Sequence, residues 1–466
     1  MKKNNLAVAS SLLAGGLSII SAQSAQAFSF EKQAKDKPDI ILIITDQQTA
    51  SAMSCAGNPY VNTPGMDMLA QDGIRFSRSY VTYPLSGPSR ASLITGRMPV
   101  EIGVKDNGGR IPDRDMQNSL GFVISQSGYD CLYAGKWHAP AEVNIPETGT
   151  GFKKICNVND PTLVDSCIPY IEKKRENSLF LVASFLNPHE ICEYARDEAL
   201  HYGRLSEPNI SECPPLPYNA VIPAYYPEAI TLHRQWVPKS YPTGLYSDDD
   251  WRRYLFAYYR LVERVDREIV RLINELKKNG LYDSSLIIFV SDHGDGAAAH
   301  RGNQKRVLQE EIIRVPFIVK PPNRKTKRIV NDDALISINL DIYQTICDYA
   351  GAGENKEMKG KSLRHLIDGK INTHHDEVYV ETMLDGIDTR GWSVVSKDFK
   401  YTLYRYYKNK EQLSDLTKDP YEMQNLAVDK RYDETLLAMR RKLYDWGIKT
   451  NDKMLTRLLK NELDNK

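Results

Sequence analysis

Four short, nearly continuous apolar runs constrain this chain more than any other feature, because each stops on groups able to do chemistry. Asp39 to Thr45 runs into Asp46-Gln47, Cys131 to Gly135 into Lys136-Trp137-His138, Leu179 to Leu186 into Asn187-Pro188-His189, and Leu286 to Val290 into Ser291-Asp292-His293. Runs without alternation suit strands covered on both faces, as in a largely parallel sheet between helix layers. In open α/β sheets the ligand crevice lies off the carboxyl ends of the strands. The four runs should therefore deliver their polar ends to one rim.

Between the last two runs, apolar residues from Leu255 to Leu276 recur at helical spacing and Gly280 follows as a stop signal, which predicts a long helix over Trp251–Asn279 packed on the sheet. Residues 190–250 shift to Pro, Tyr and short polar clusters, and so long an excursion in a compact domain predicts a substrate-facing role. The pattern breaks near Gly351, and 358–369 reads as a linker passage. Beyond it, runs at Glu377–Thr382, Trp392–Val395 and Phe399–Tyr404 and one closing helix over Tyr432–Trp446 predict a small antiparallel sheet with a helix. The expected organisation is a leader over residues 1–27, a main α/β domain over 28–370 and a C-terminal α+β subdomain over 371–466.

The leader rests on Met1-Lys2-Lys3, the apolar run from Leu6 to Ala22 and the small residues Ala25-Gln26-Ala27, the three parts of a secretory signal. An exported protein without stable membrane insertion, acting in the periplasm, is the expectation. The balance of 61 basic against 60 acidic residues gives no electrostatic reason to expect nucleic acid as a partner. Seven cysteines show no metal-binding spacing; after export they allow one or two disulfides, with no pairing deducible.

Residues 86–97 read S-G-P-S-R-A-S-L-I-T-G-R. Pro88 suits the first turn of a helix, so Ser86 should sit at a helix N-terminus, an end that attracts anions. One turn on, Arg90 would present a fork of donors to an oxyanion. Asp46, Gln47 and Asp292 supply hard oxygen ligands of the kind calcium takes, while His293 as a ligand favours a softer ion such as manganese. Farther along, Lys305 is followed by Glu310 and by Arg314-Val315-Pro316, and later come Asp415-Leu416, Asp419-Pro420, Glu422 and Asn425-Leu426.

On Ser86, Pro88, Ser89, Arg90, Leu93 and Thr95-Gly96-Arg97, on Gly135-Lys136-Trp137-His138, and on these later segments in order, the chain resembles the type I, formylglycine-dependent sulfatases of the alkaline phosphatase superfamily. The resemblance implies an alkaline-phosphatase-like α/β fold and hydrolysis of a sulfate ester. It implies that Ser86 is oxidised to formylglycine (3-oxoalanine) before export by a maturase, which for a Ser-type member is an oxygen-independent radical enzyme of a bacterial host. It further implies that Lys136 and Lys305 contact sulfate oxygens, that His138 is the base that expels sulfate, and that His189 is the acid toward the leaving alcohol. The divalent cation, calcium or manganese, would be held by Asp46, Gln47, Ser86, Asp292 and His293. Gln47 and His293 depart from the two adjacent acidic residues and the Asp-Asn pair of most sulfatases, and look like some bacterial members and related phosphonate monoester hydrolases. The implied substrate is a sulfated carbohydrate, including glycosaminoglycan fragments. His300, Arg301, Asn303 and Arg390 are further candidates for sugar contacts. A phosphonate monoester or phosphodiester hydrolase, or a sulfated-glycan binder in which Ser86 stays unoxidised, are the competing readings.

Overall fold

A computed structural model describes residues 37–141, 149–323 and 329–464. The leader over 1–27 lies outside the described residues. Fourteen strands occur among those described: β1 (Ile40–Asp46), β2 (Ile74–Phe76), β3 (Ser79–Tyr80), β4 (Tyr129–Gly135), β5 (Lys153–Cys156), β6 (Ser178–Pro188), β7 (Leu286–Ser291), β8 (Phe317–Lys320), β9 (Ile329–Asn331), β10 (Ile336–Ser337), β11 (Glu377–Leu384), β12 (Thr389–Ser396), β13 (Phe399–Tyr404) and β14 (Glu411–Asp415). Eight of them form one sheet in the order β5-β4-β6-β1-β7-β8-β2-β9. The four predicted runs are β1, β4, β6 and β7, adjacent and mutually parallel; β8 runs antiparallel to both its neighbours.

The sheet is covered on both sides, which is why its strands lack alternation. Ile40, Leu42 and Ile44 of β1 enter one apolar cluster with Leu286, Ile288 and Val290 of β7. Ile41 and Ile43 enter the other with Ile287 and Phe289. The first cluster includes the helix Ile338–Tyr349, and the second the long helix Asp248–Lys278, whose Leu261, Val265, Ile269 and Leu272 are fully buried. Ser247 caps the long helix, its hydroxyl accepting the Asp250 N–H.

Strands β11 to β14 form a separate antiparallel sheet. One face packs Trp392, Val394, Leu403 and Leu413 against Leu436 and Leu443 of the helix Asp433–Lys449 and against Leu455 and Leu459 of the helix Lys453–Asp464. The other face, through Val378, Val380 and Val395, joins the core cluster of the large sheet. Two closing helices therefore stand where the sequence predicted one. The passage 358–369 is not a spacer either: Leu363, Leu366 and Ile367 are buried and Gly360 lies against the Leu340 backbone. Among the described residues no disulfide forms, and six of the seven cysteines are buried.

Candidate active site

The rim expected at the strand ends exists, and the helix Ser86–Thr95 points its N-terminus into it. That helix starts at Ser86, carries Pro88 in its first turn and stops at Gly96, whose φ of 65° is the left-handed stop glycine favours. Ser86 Oγ lies 3.2 Å from Asp46 Oδ2 and 3.0 Å from His293 Nε2. Arg90, 1 % exposed, fans its guanidinium across the rim: Nε donates to Asp292 Oδ2 at 2.9 Å, Nη2 to Asp46 Oδ2 at 3.2 Å, and Nη1 to Lys136 O and Ser184 Oγ at 2.9 and 2.8 Å. Lys136 Nζ closes on Asp46 Oδ2 at 2.6 Å.

Backbone geometry at the strand ends makes this convergence possible. Gly135 has φ of 89°, and a Cβ there would fall 2.1 Å from Ser184 O, so the turn that swings Lys136 inward requires glycine. Gln47 and His138 hold φ of 69° and 45°, conformations non-glycine residues adopt at a cost of about 1–3 kcal/mol. For Gln47 the surroundings impose it: its N–H donates to Asp292 Oδ1 at 3.2 Å and its carbonyl accepts Tyr258 OH at 2.8 Å. The Gln47 side chain is fixed at both ends, Nε2 donating to Asp295 Oδ2 at 2.8 Å and Oε1 accepting Lys305 Nζ at 2.9 Å.

Burial alone would raise the Asp46 carboxyl, but Lys136, His189 and Arg90 outweigh it and hold the group well below the usual carboxylate range. The Lys136 ammonium is lowered by burial and by its cationic neighbours Arg90 and Lys305. His189 is pushed well below its ordinary value by burial and then by Lys305 and Lys136, which keeps it neutral in the free site. His138 is an exposed residue, yet partial desolvation of its ring and the Lys136 ammonium push the imidazole down to about 4.

The donor set fits a divalent cation. Asp46, Asp292 and His293 are buried, each offering a ligand atom within 4.8 Å of the others. Asp46 Oδ1 is a buried acceptor with no hydrogen-bond partner among the described residues. His293 is lowered by burial and is therefore neutral; its Nδ1 donates to Gly294 O at 2.9 Å, so Nε2 presents a lone pair to the carboxylates and Ser86.

A sulfatase family description matches residues 38–352, most of the chain. The chain belongs to the sulfatase family. It is a hydrolase of the alkaline phosphatase superfamily, and residues 298–449 also match the C-terminal part of N-sulphoglucosamine sulphohydrolase. This sulfatase is 29 % identical to the Delta 4,5-hexuronate-2-O-sulfatase of Bacteroides thetaiotaomicron, covering 90 % of this chain and 91 % of that protein. It is 27 % identical to the arylsulfatase of Clostridium perfringens, over 87 % and 93 % of the two chains. A solved 2-O GAG sulfatase superposes with a TM-score of 0.79 at 28 % identity, over 90 % of this chain and 93 % of that one. The phosphonate monoester hydrolase of Agrobacterium radiobacter shares the fold, with a TM-score of 0.72 at 21 % identity over 89 % and 96 % of the chains.

Within the sulfatase, Asp46, Gln47, Ser86, Arg90, Lys136, Asp292 and His293 are in mutual contact, Lys305 joins through Gln47, and His189 and His138 feel the same charges. Two sugar-contact candidates are corrected. His300 is fully buried and stacks on Tyr226, and Arg390 is spent on Glu381 and Asp452 at 3.2 and 2.8 Å, tying the C-terminal sheet to the closing helices. Asn303 is buried, accepting Thr243 Oγ1 at 2.9 Å, and Arg301 pairs with Asp248 at 2.7 Å. Ser184, Tyr133, Asp295 and Asn107 were not singled out in the sequence, yet they hold Arg90, Gln47 and the Gly87 N–H in place. Only Asp295, two residues past His293, carried a signal.

A cation supplied at a hundred times its dissociation constant should stabilise the native sulfatase by roughly 2.7 kcal/mol. The expected outcome is a higher thermal midpoint with calcium or manganese, lost in Asp292→Asn. An unshifted wild-type midpoint with either ion would contradict the site.

Proposed function

We propose that this sulfatase removes sulfate from a sulfated carbohydrate, with glycosaminoglycan fragments as the substrate class, through formylglycine made from Ser86. The observation that carries the reading is the placement of Ser86 Oγ at a helix N-terminus, bonded to Asp46 and His293 and ringed by Arg90, Lys136 and Lys305. The curated relatives named for hexuronate-2-O-sulfate and N-acetylglucosamine-6-O-sulfate support the carbohydrate class.

When formed, the hydrated aldehyde would supply one hydroxyl as the nucleophile that takes the sulfuryl group and a second whose deprotonation restores the aldehyde and breaks the C–O bond to the sulfated oxygen, releasing sulfate. A divalent cation on Asp46, Gln47, Ser86, Asp292 and His293 would supply positive charge at the nucleophile and the sulfuryl oxygens. The remaining work falls to side chains. Arg90 holds both carboxylates in position through its fixed fork. Lys136 and Lys305 offer ammonium groups to the transferring group, where charge builds in the transition state. His138, neutral in the free site, takes the proton from the second hydroxyl. His189 donates a proton to the leaving oxygen. Because burial and then its cationic surroundings keep it neutral, it takes up that proton only with the sulfate anion bound, whose charge offsets the two lysines. With its leader, the enzyme acts in the periplasm after maturation.

Gln47 and His293 favour one second reading, a phosphonate monoester or phosphodiester hydrolase. The test is sulfate release by matured protein from defined sulfated disaccharides, beside aryl sulfate and aryl phosphonate. Release from a disaccharide is expected. Inactivity across all of them with Ser86 oxidised would overturn the carbohydrate assignment, and faster turnover of the phosphonate would establish the second reading.

A further inference from the structure

A cavity of about 690 Å³, lined by none of the residues that the chemistry above uses, is tied to the site through Asn107 and Arg306. Three elements wall it: the β11–β12 turn with Asp385 and Asp388, the end of the helix Glu228–Trp236, and the β13–β14 hairpin bearing Tyr407. Hydrogen bonds fix these walls. His233 Nδ1 donates to Asp385 O at 2.8 Å, the Glu228 N–H to Lys408 O at 3.1 Å, and the Lys408 N–H to Glu228 Oε2 at 2.9 Å.

The remaining wall ties the cavity to the nucleophile. Asp106 precedes Asn107, whose Oδ1 accepts the Gly87 N–H at 2.9 Å, one residue past Ser86. Behind the wall Arg306, the neighbour of Lys305, pairs with Asp106 at 2.9 Å and Asp385 at 3.3 Å, while its N–H donates to Pro84 O at 2.9 Å. The cavity wall is thus joined to the nucleophile's helix through Asn107 and Gly87, and to the Lys305 segment through Arg306.

Its lining is acidic on balance. Asp106, Asp385 and Asp388 line it and no lysine or arginine does so among the described residues, while Arg306 behind the wall offsets part of the charge on Asp106 and Asp385 and leaves the carboxylates in excess. Beside these carboxylates Trp236 and Tyr407 are 68 % and 40 % exposed, which leaves aromatic faces open to the cavity. Carboxylates accept hydroxyl or ammonium hydrogens, aromatic faces accept the C–H face of a pyranose, and a second anion would meet like charge.

Resting on the sulfatase reading, we propose that this cavity is the sugar subsite, that it takes an uncharged or amino pyranose, and that it rejects a second sulfate or a uronate carboxylate. Trp236 and Tyr407 are its stacking residues and the three aspartates its hydroxyl acceptors.

The test compares kcat/KM of matured protein on monosulfated N-acetylhexosamines, their disulfated counterparts, a sulfated uronate and 4-nitrophenyl sulfate. The monosulfated hexosamine should exceed the disulfated sugar and the uronate by roughly tenfold or more. Trp236→Ala should lower the ratio of sugar sulfate to aryl sulfate turnover by roughly tenfold, and the pair Asp106→Asn with Asp388→Asn should narrow the discrimination against the second sulfate. Equal or better turnover of the disulfated sugar or the uronate, or an unchanged ratio in Trp236→Ala, would overturn the proposal. If no sugar sulfate is hydrolysed at all, the carbohydrate assignment fails by itself. Titration calorimetry with the same sugars then decides the subsite, because binding of the monosulfated hexosamine that weakens in Trp236→Ala upholds it, and no binding or no weakening rejects it.

Discussion

Ser86→Ala is expected to lower sulfate release by roughly 10⁴- to 10⁶-fold, the scale on which deleting a nucleophile acts. The protein should remain folded, because the change deletes only the hydroxyl whose contacts are with Asp46 and His293. The loss should appear in kcat, since Arg90, Lys136 and Lys305 still surround the position. Steady-state kinetics on an aryl sulfate and a thermal scan on the same preparation check both halves. Substantial turnover by the alanine variant would move the nucleophile elsewhere.

Arg90→Met carries the second large effect, and it falls on stability as well as rate. The guanidinium is buried between Asp46 and Asp292, and removing it strands two carboxylates with the Lys136 ammonium as their remaining close cation. Breaking a buried pair in this way costs about 3–5 kcal/mol. Denaturant unfolding of the variant should show a loss of that size, together with lost sulfate release. Arg90→Lys should recover little, because a point charge cannot reach Asp46, Asp292, Ser184 and the Lys136 carbonyl from one planar fork. A variant as stable as the parent would mean that the carboxylates are neutralised by other means.

The parts of the molecule legible in the sequence are those where burial is continuous. Strands β1, β4, β6 and β7 stand out because both their faces enter apolar clusters, and the chemistry-bearing residues stand out because they follow those strands directly. The helix Lys453–Asp464 escaped notice because only Leu455 and Leu459 bury among its charges. Strands β2, β3, β9 and β10 are two or three residues long, too short for any period to register. The passage through Leu363 and Ile367 reads as a linker because single apolar residues among Lys, Arg and His give no pattern.

The same reasoning separates the visible half of the site from the hidden one. Asp46, Lys136, His189 and Asp292 sit where a strand ends, whereas Ser184 and Tyr133 lie inside apolar runs and look like core. Ser184 nevertheless accepts Arg90 Nη1 and donates to Lys136 O at 2.8 Å, linking two strand ends. His300 was drawn into the sugar site by its place in the chain, but its own neighbourhood buries it against Tyr226.

The most direct measurement is the mass of the peptide containing Ser86, taken from protein made with its maturase and assayed for sulfate release in the same preparation. The account predicts a peptide lighter by two hydrogens, with release that scales with the oxidised fraction. Full release from protein whose Ser86 peptide keeps its unmodified mass would contradict it.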